Sequence, residues 1–334
     1  MRAVIIEKPG VIRVDDVPEP AVGPEEVLVK VGACGICGTD IHIIDGEFPP
    51  TKYPITPGHE FGGEVAAVGS AVSGITVGDR VGVDPTLNCG HCYFCQRGKG
   101  NLCENWNAVG VTTSGGFAEY VAVPQRTVYP IPDTMSIAEA ALIEPVSCVV
   151  HGFHLLQPRV GDSYLIYGAG PMGLQNAQLA RFNGAREVAI IDINPSRLER
   201  ARQFGFDALG TSLEEVRQYA PRGFDNVIEA TGVTKVAERA IDGVIRGGKL
   251  LLFGVCPPGE TAAYDAFKVY NDEITILGTM AVNLSYGPAL DAINAGAIDA
   301  KQMVSHTFPL DQFEEAVALV RKGAGLKVQV SPES

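Results

Sequence analysis

The stretch "SYLIYGAGPMG", residues 163–173, constrains this chain more than any other. An apolar run meets Gly168, Gly170 and Gly173 at G-x-G-x-x-G spacing, and the helix-forming "PMGLQNAQLARFNG" follows. Three glycines alone are a weak signal, but a strand before them and a helix after them supply the required context. Gly168 permits the tight turn, Gly170 lets backbone approach a pyrophosphate, and Gly173 allows helix to pack closely on strand. Pro171 and Met172 open the helix, with proline at its favoured first position. The free N–H groups and dipole of that N-terminus suit phosphates.

The next apolar run, "EVAIID", ends in Asp192, about twenty residues beyond the last glycine. A carboxylate there accepts hydrogen bonds from ribose hydroxyls and repels a 2′-phosphate, which favours NAD over NADP. Arg197 stands close enough to pair with such a phosphate, so NADP stays open. Further short apolar runs, "NVIEATG", "KLLLFG" and "ITILGT", follow. The helical segments "PSRLERARQFG" and "VAERAIDGVIRG" lie between runs. Alternation of buried strands and helices over roughly residues 150–280 predicts a doubly wound parallel sheet covered on both faces.

The first half has a different rhythm. "EEVLVKV", "GGEVAAVG", "GDRVGV" and "AEYVAV" are separated by Gly, Pro and Asp, and predict short strands up to about residue 130. "SIAEAAL" places Ser136 and Glu139 at capping-box spacing, and "EPVSCVVHGFHLL" predicts a buried helix with Pro145 in its first turn. The tail holds two amphipathic helical patterns and ends in "LKVQV", a last strand.

The 334 residues carry a net charge of -13, which argues against nonspecific binding to nucleic acid or an anionic membrane. No apolar run reaches the ~20 residues of a membrane helix. "MRAVIIEKPG" lacks a signal-peptide core, so a cytoplasmic protein is expected. Cysteines in that compartment stay mostly reduced, and a cluster of them points to metal or catalysis rather than disulfides. Cys148 and Cys256 lie in apolar runs and are read as buried core thiols.

Cys89, Cys92, Cys95 and Cys103 form C-x2-C-x2-C-x7-C. Four thiolates close a tetrahedron around zinc and leave no position for substrate, which defines a structural site. An iron–sulfur cluster uses a similar run, but its usual fourth spacing and following proline are missing. A redox C-x-x-C pair does not need four cysteines. His91 lies inside the loop as a further donor.

A second donor set is scattered. "CGICGTDIH" contains Cys34, Cys37, Thr39, Asp40 and His42; "PGHEFGGE" contains His59 and Glu60; "IEPVSC" contains Glu144. One thiolate, one imidazole and one carboxylate leave zinc a position for substrate, the pattern of a catalytic site. Each residue also has a plain reading: Cys37 as a small buried hydrophobe, His59 as a satisfied core histidine, Glu144 as a helix cap. Spacing alone leaves both readings standing.

Taken in order, "GICGTDIH", "PGHEFGGEV", "GDRV", the four-cysteine loop, the Glu144–Pro145 pair and "GAGPMG" resemble the zinc-dependent medium-chain dehydrogenases. The sorbitol, arabitol and threonine branch is the nearest, and the likeness spans essentially the whole chain. It implies an α/β fold. A GroES-like β-rich catalytic domain takes residues 1–149 and 284–334, with a zinc lobe near 88–104. A Rossmann domain takes residues 150–283. It implies a catalytic zinc on Cys37, His59 and Glu144, with Glu60 bound directly or through water, and a structural zinc on Cys89, Cys92, Cys95 and Cys103. Thr39 then hydrogen-bonds the substrate alcohol and His42 ends a proton relay. The implied reaction is hydride transfer between NAD and a secondary alcohol, most readily a polyol or its phosphate oxidised to a ketose. 2,3-Butanediol, L-threonine and cyclitol dehydrogenases are the neighbouring alternatives, and an NAD-binding redox sensor is the non-enzymatic one. The resemblance further implies a homodimer or homotetramer, with "ITILGT" as the joining strand.

Overall fold

A computed structural model describes residues 1–332. The chain divides into two compact units. The first comprises Met1–Ser147, Val282–Ala295 and the chain from Asp299 onward; the second comprises Cys148–Ala281 with Gly296–Ile298.

The first unit is built on a seven-stranded sheet. Its main path runs Val304–Pro309, Lys327–Ser331, Glu26–Gly35, Glu60–Val68, Arg80–Val83 and Val128–Pro130, and Tyr120–Pro124 pairs separately with Glu26–Gly35. The strand Glu26–Gly35 is central, and its Val27, Val29 and Val31 are fully buried. β-Branched residues in that alternation suit a pleated, packed surface. Phe117 and Phe313 meet edge to face at 4.9 Å in the core. The helix Phe313–Arg321 buries Phe313, Ala316 and Val317, one face of a 3.6-residue period.

Register in this sheet places the site residues. Gly35 pairs with Glu60 on one side and with Gln329 on the other, and Cys34 pairs with Phe61. The strand that leads to Cys37, the strand that opens at Glu60 and the final strand therefore lie side by side.

The second unit is a six-stranded parallel sheet. Its order is Leu209–Gly210, Glu187–Ile191, Ser163–Tyr167, Phe224–Glu229, Val244–Leu252 and Thr275–Gly278. Numbered along the chain this is 3-2-1-4-5-6, the doubly wound dinucleotide-binding order. All five residues of Ser163–Tyr167 are buried, as a central strand covered on both faces requires.

The Ser136–Glu139 capping box forms as its spacing predicts, with Ser136 Oγ accepting the Glu139 N–H at 3.2 Å. Three local expectations change. The region read as mostly strands contains a helix, Gly38–Asp45. It starts because the Asp40 carboxylate accepts the Cys37 N–H at 2.8 Å, and it stops at Gly46 with φ 79°. Within "VAERAIDGVIRG" the α-helix Thr234–Ala240 gives way to a single 3-10 turn, Ile241–Gly243, and a strand starts at Val244, where β-branched residues enter the sheet. Cys148 and Cys256 are half-buried rather than core thiols. Cys256 lies beyond the end of the strand Val244–Leu252, and Cys148 falls outside the buried stripe of Val146, Val149, Val150 and Phe153.

Candidate metal and dinucleotide sites

Cys37 stands at the N-cap of the helix Gly38–Asp45, at the end of the central strand. His59 immediately precedes the strand Glu60–Val68. The turn before it is backbone packed on backbone. Gly58 has φ 100°, and a Cβ there would meet Cys34 Sγ and Phe117. Ligand atoms of Cys37, His59 and Glu60 lie within 4.8 Å of one another. Glu144 stands outside that group, in the first turn of the buried helix Ile143–Leu156. Burial pushes its carboxyl up to about 7, and it feels the charges of His59 and Glu60.

Two residues to which the sequence analysis gives no role complete this cluster. Asp40 is fully buried; its Oδ2 accepts the Cys37 N–H, and its Oδ1 faces His59 Nδ1 at 3.7 Å. Burial pulls the His59 imidazole down, but the Asp40 charge and the Cys37 thiol outweigh it and hold it well above the usual range. Lys327 donates from Nζ to both Glu60 oxygens, in an ion pair 4% and 1% exposed. Asp40 carries a legible signal, being three residues past Cys37 at capping-box spacing. Lys327 carries none, since 267 residues separate it from Glu60.

Thr39 Oγ1 lies 3.8 Å from Cys37 Sγ. His42 is exposed on the same helix, with Nδ1 2.9 Å from Glu47. The donor set suits zinc: thiolate, imidazole and carboxylate are its protein ligands. Among the described residues, the buried Asp40 Oδ1 and His59 Nδ1 atoms have no hydrogen-bond partner within reach.

The sulfurs of Cys89, Cys92, Cys95 and Cys103 also lie within 4.8 Å of one another, and all four are free thiols. Cys103 Sγ accepts the N–H groups of Cys89 and Asn105, both at 3.3 Å. The His91 N–H helps to draw the Cys89 thiol down to about 6, whereas burial and the neighbouring thiols Cys92 and Cys103 push Cys95 up to about 12. Four crowded sulfurs cannot all shed their protons without a cation, and a divalent metal answers that need. His91 turns instead to the Cys89 carbonyl, 2.8 Å from its Nδ1, and is not among the four. Asn283 ties the lobe down, accepting the Gly100 N–H at 3.0 Å and donating to the Gly98 carbonyl at 2.9 Å.

In the second unit, Gly168 has φ 101°, and Gly170 caps the helix Pro171–Phe182, with Pro171 in its first turn. A Cβ on Gly173 would overlap the Gly168 carbonyl oxygen. Met172 is half-buried, and its carbonyl accepts from Asn176. Asp192 accepts the N–H groups of Ala169 and Asn194, each at 2.8 Å, which holds the carboxylate beside the glycine turn. Arg197 Nη1 lies 3.7 Å from it.

Known proteins agree with this architecture. Residues 23–133 match the alcohol dehydrogenase GroES-like domain, and residues 171–295 match the zinc-binding dehydrogenase family. D-arabinitol dehydrogenase 1 of Uromyces fabae is 37% identical over 99% of this chain and 97% of its own. L-threonine 3-dehydrogenase of Rhizobium johnstonii is 37% identical over 98% and 97%. A Sinorhizobium meliloti 1021 structure, described as a zinc-binding dehydrogenase bound to NADP, superposes with a TM-score of 0.94 at 37% identity, covering 99% of each chain. The chain belongs to the zinc-dependent medium-chain alcohol and polyol dehydrogenases. It is accordingly an oxidoreductase whose cofactors are zinc and a nicotinamide dinucleotide.

Proposed function

We propose that this enzyme oxidises a secondary alcohol of a sugar alcohol, free or phosphorylated, to the ketose, with NAD as acceptor. The observation that carries the reading is the meeting of half-buried Cys37 with buried His59 and Glu60. Such a set holds a metal with three protein ligands and keeps a position for substrate. Zinc held there supplies Lewis acidity that lowers the pKa of an alcohol presented to it. The nicotinamide supplies the hydride acceptor.

This chain's residues provide the rest. Cys37, His59 and Glu144 hold the metal, with Glu60 bound directly or through water, and Asp40 stands beside the imidazole. Thr39, beside Cys37, accepts the alcohol proton as it gives up its own hydroxyl proton to the relay, and His42, exposed on the same helix, releases a proton to solvent at the outer end. Asp192 accepts from the adenosine ribose hydroxyls and disfavours a 2′-phosphate. The four-cysteine lobe holds a second zinc and does no chemistry.

The polyol assignment draws support from the likeness to D-arabinitol dehydrogenase 1. The equal identity to L-threonine 3-dehydrogenase makes threonine the second reading. A panel of sugar alcohols, their phosphates, 2,3-butanediol and threonine, each with NAD and NADP, separates them. Highest kcat/KM on threonine would overturn the polyol assignment. Cys37→Ala and His59→Ala are expected to abolish turnover, retain NAD binding and lose one of two zinc ions per chain. Full turnover by a metal-free Cys37→Ala protein would overturn the metal reading.

The enzyme works in the cytoplasm as a homodimer or homotetramer, joined through the edge strand Thr275–Gly278. Among the described residues that strand pairs on one side only, with Val244–Leu252, and an unpaired edge is a ready template for a second copy.

A further inference from the structure

We infer that Glu229 is a positioning residue for the cofactor: its carboxylate folds residues 230–233 against the glycine turn and so shapes the seat of the nicotinamide half. This role holds whichever alcohol is the substrate. Glu229 is the acid of "NVIEATG", a run to which the sequence analysis gives only a strand. It ends the strand Phe224–Glu229 and is fully buried.

An acidic side chain is seldom fully buried without partners, and here the partners come from one loop. Glu229 Oε1 accepts the Thr231 N–H at 2.6 Å and the Gly232 N–H at 3.2 Å, and it also accepts the Thr231 hydroxyl. Oε2 takes a longer bond from the same Gly232 N–H, at 3.3 Å. Thr231 Oγ1 in turn accepts the Val233 N–H at 3.0 Å. The main-chain carbonyl of Glu229 accepts the N–H groups of Phe253 and Gly254, at 2.9 and 2.7 Å. One residue thus holds the chain that leaves two neighbouring strands, Phe224–Glu229 and Val244–Leu252.

These turns pack backbone to backbone. A Cβ on Gly168 would stand 3.1 Å from the Thr231 methyl and 3.3 Å from the Ala230 carbonyl oxygen. A Cβ on Gly232, where φ is 70°, would meet the Val255 carbonyl oxygen at 2.7 Å, and one on Gly254 would meet the Glu229 carboxylate at 2.7 Å.

Topology names what the loop faces. In the order 3-2-1-4-5-6 the ligand crevice opens at the switch between strands 1 and 4, outside their carboxyl ends. Tyr167 ends strand 1, leads into Gly168 and pairs with Glu229 at the end of strand 4. An acid after strand 2 takes the adenosine ribose, so the loop across the switch point takes the nicotinamide side. Thr231 is exposed while its anchor is buried. A loop held this way before the cofactor arrives spares binding its ordering cost. Affinity then falls with the fraction of chains that have the loop in place.

The test uses the full chain and calorimetric titration with NADH, or with NADPH should the parent prefer it, and with ADP, which lacks the nicotinamide half. Glu229→Gln keeps size and an acceptor but loses the charge, and charge-assisted bonds are roughly twice as strong as neutral ones. The Kd of the reduced cofactor is expected to rise about tenfold while that of ADP stays within about twofold of the parent value. Hydrogen exchange at the Thr231 and Gly232 amides is expected to quicken in the free variant, and to slow again with the reduced cofactor but not with ADP. Parent affinity for the reduced cofactor in Glu229→Gln would overturn the inference. Equal weakening of both ligands would do so too, since it marks a general fault in the unit. Should Glu229→Gln fail to fold, Thr231→Val decides. It removes the hydroxyl bond, keeps a methyl beside Gly168, and is expected to raise the Kd of the reduced cofactor about threefold with ADP unchanged. Parent affinity in that variant would overturn the inference.

Discussion

Asp40 Oδ1 faces His59 Nδ1 across 3.7 Å, and both groups are shut away from solvent. The other Asp40 oxygen starts the helix that carries Cys37. One carboxylate thus stands against two of the residues proposed as zinc ligands, Cys37 and His59. Carboxylates behind ligating histidines set ring orientation and raise ligand basicity, and their loss costs about 10–100-fold in metal affinity. Asp40→Asn keeps an oxygen for the Cys37 N–H but loses the charge. Competition against a chelator is expected to show zinc binding weakened by about that factor. Unchanged affinity would remove Asp40 from the site.

Cys95 belongs to the lobe rather than to chemistry. Cys95→Ser is expected to bind one zinc fewer and to unfold earlier, because metal binding to such a site is folding free energy. Each kcal/mol lost lowers Tm by about 2–4 °C for a unit of this size. Thermal unfolding and sedimentation check it; native stability and native quaternary structure together would contradict the structural role.

Gly173 and Asp192 make separate demands at the dinucleotide turn. Gly173→Ala puts a Cβ into the Gly168 carbonyl. It should raise the NAD Kd on the order of tenfold or more, equivalent to about 1.4 kcal/mol. Asp192→Ala removes the ribose acceptor and frees Arg197 from its ion pair. Its ratio of NADP to NAD activity is expected to rise. A ratio that stays level in steady-state kinetics would show that Asp192 does not select the cofactor.

Asp84 supplies a pH test. Burial raises its carboxyl above 3.8, against the pull of the Thr86 N–H and hydroxyl and the Arg126 charge. The folded protein therefore holds this proton more tightly than the unfolded chain does. The folded state is penalised as pH rises from the unfolded value through the folded one, and the penalty is complete above both. Asp84→Asn keeps an acceptor for Thr86 without the charge. Its stability relative to the parent is expected to be greater at about pH 7 than at about pH 3.5. Denaturant melts at the two values decide, and a difference independent of pH would rule the titration out.

Much of the architecture is readable because it is local. The glycine turn, the acid after the next strand and the four-cysteine spacing each lie within a few dozen residues. Alternating apolar runs and helical periods are enough to specify the parallel sheet, since a strand covered on both faces has no other composition open to it. The helix Gly38–Asp45 escapes the same reading because one side-chain hydrogen bond starts it within a β-rich region.

By itself the sequence determined which side chains are available as donors, Cys37, His59, Glu60 and Glu144 among them, and that a dinucleotide unit follows. It left open what Glu60 touches, and tertiary structure decided that. The central strand sets Glu60 and the final strand on either side of Gly35, and that register brings Lys327 to Glu60 across 267 residues. Such a pairing leaves no trace in local pattern. A buried lysine reads as one more polar residue in "LKVQV" until the sheet is assembled around it.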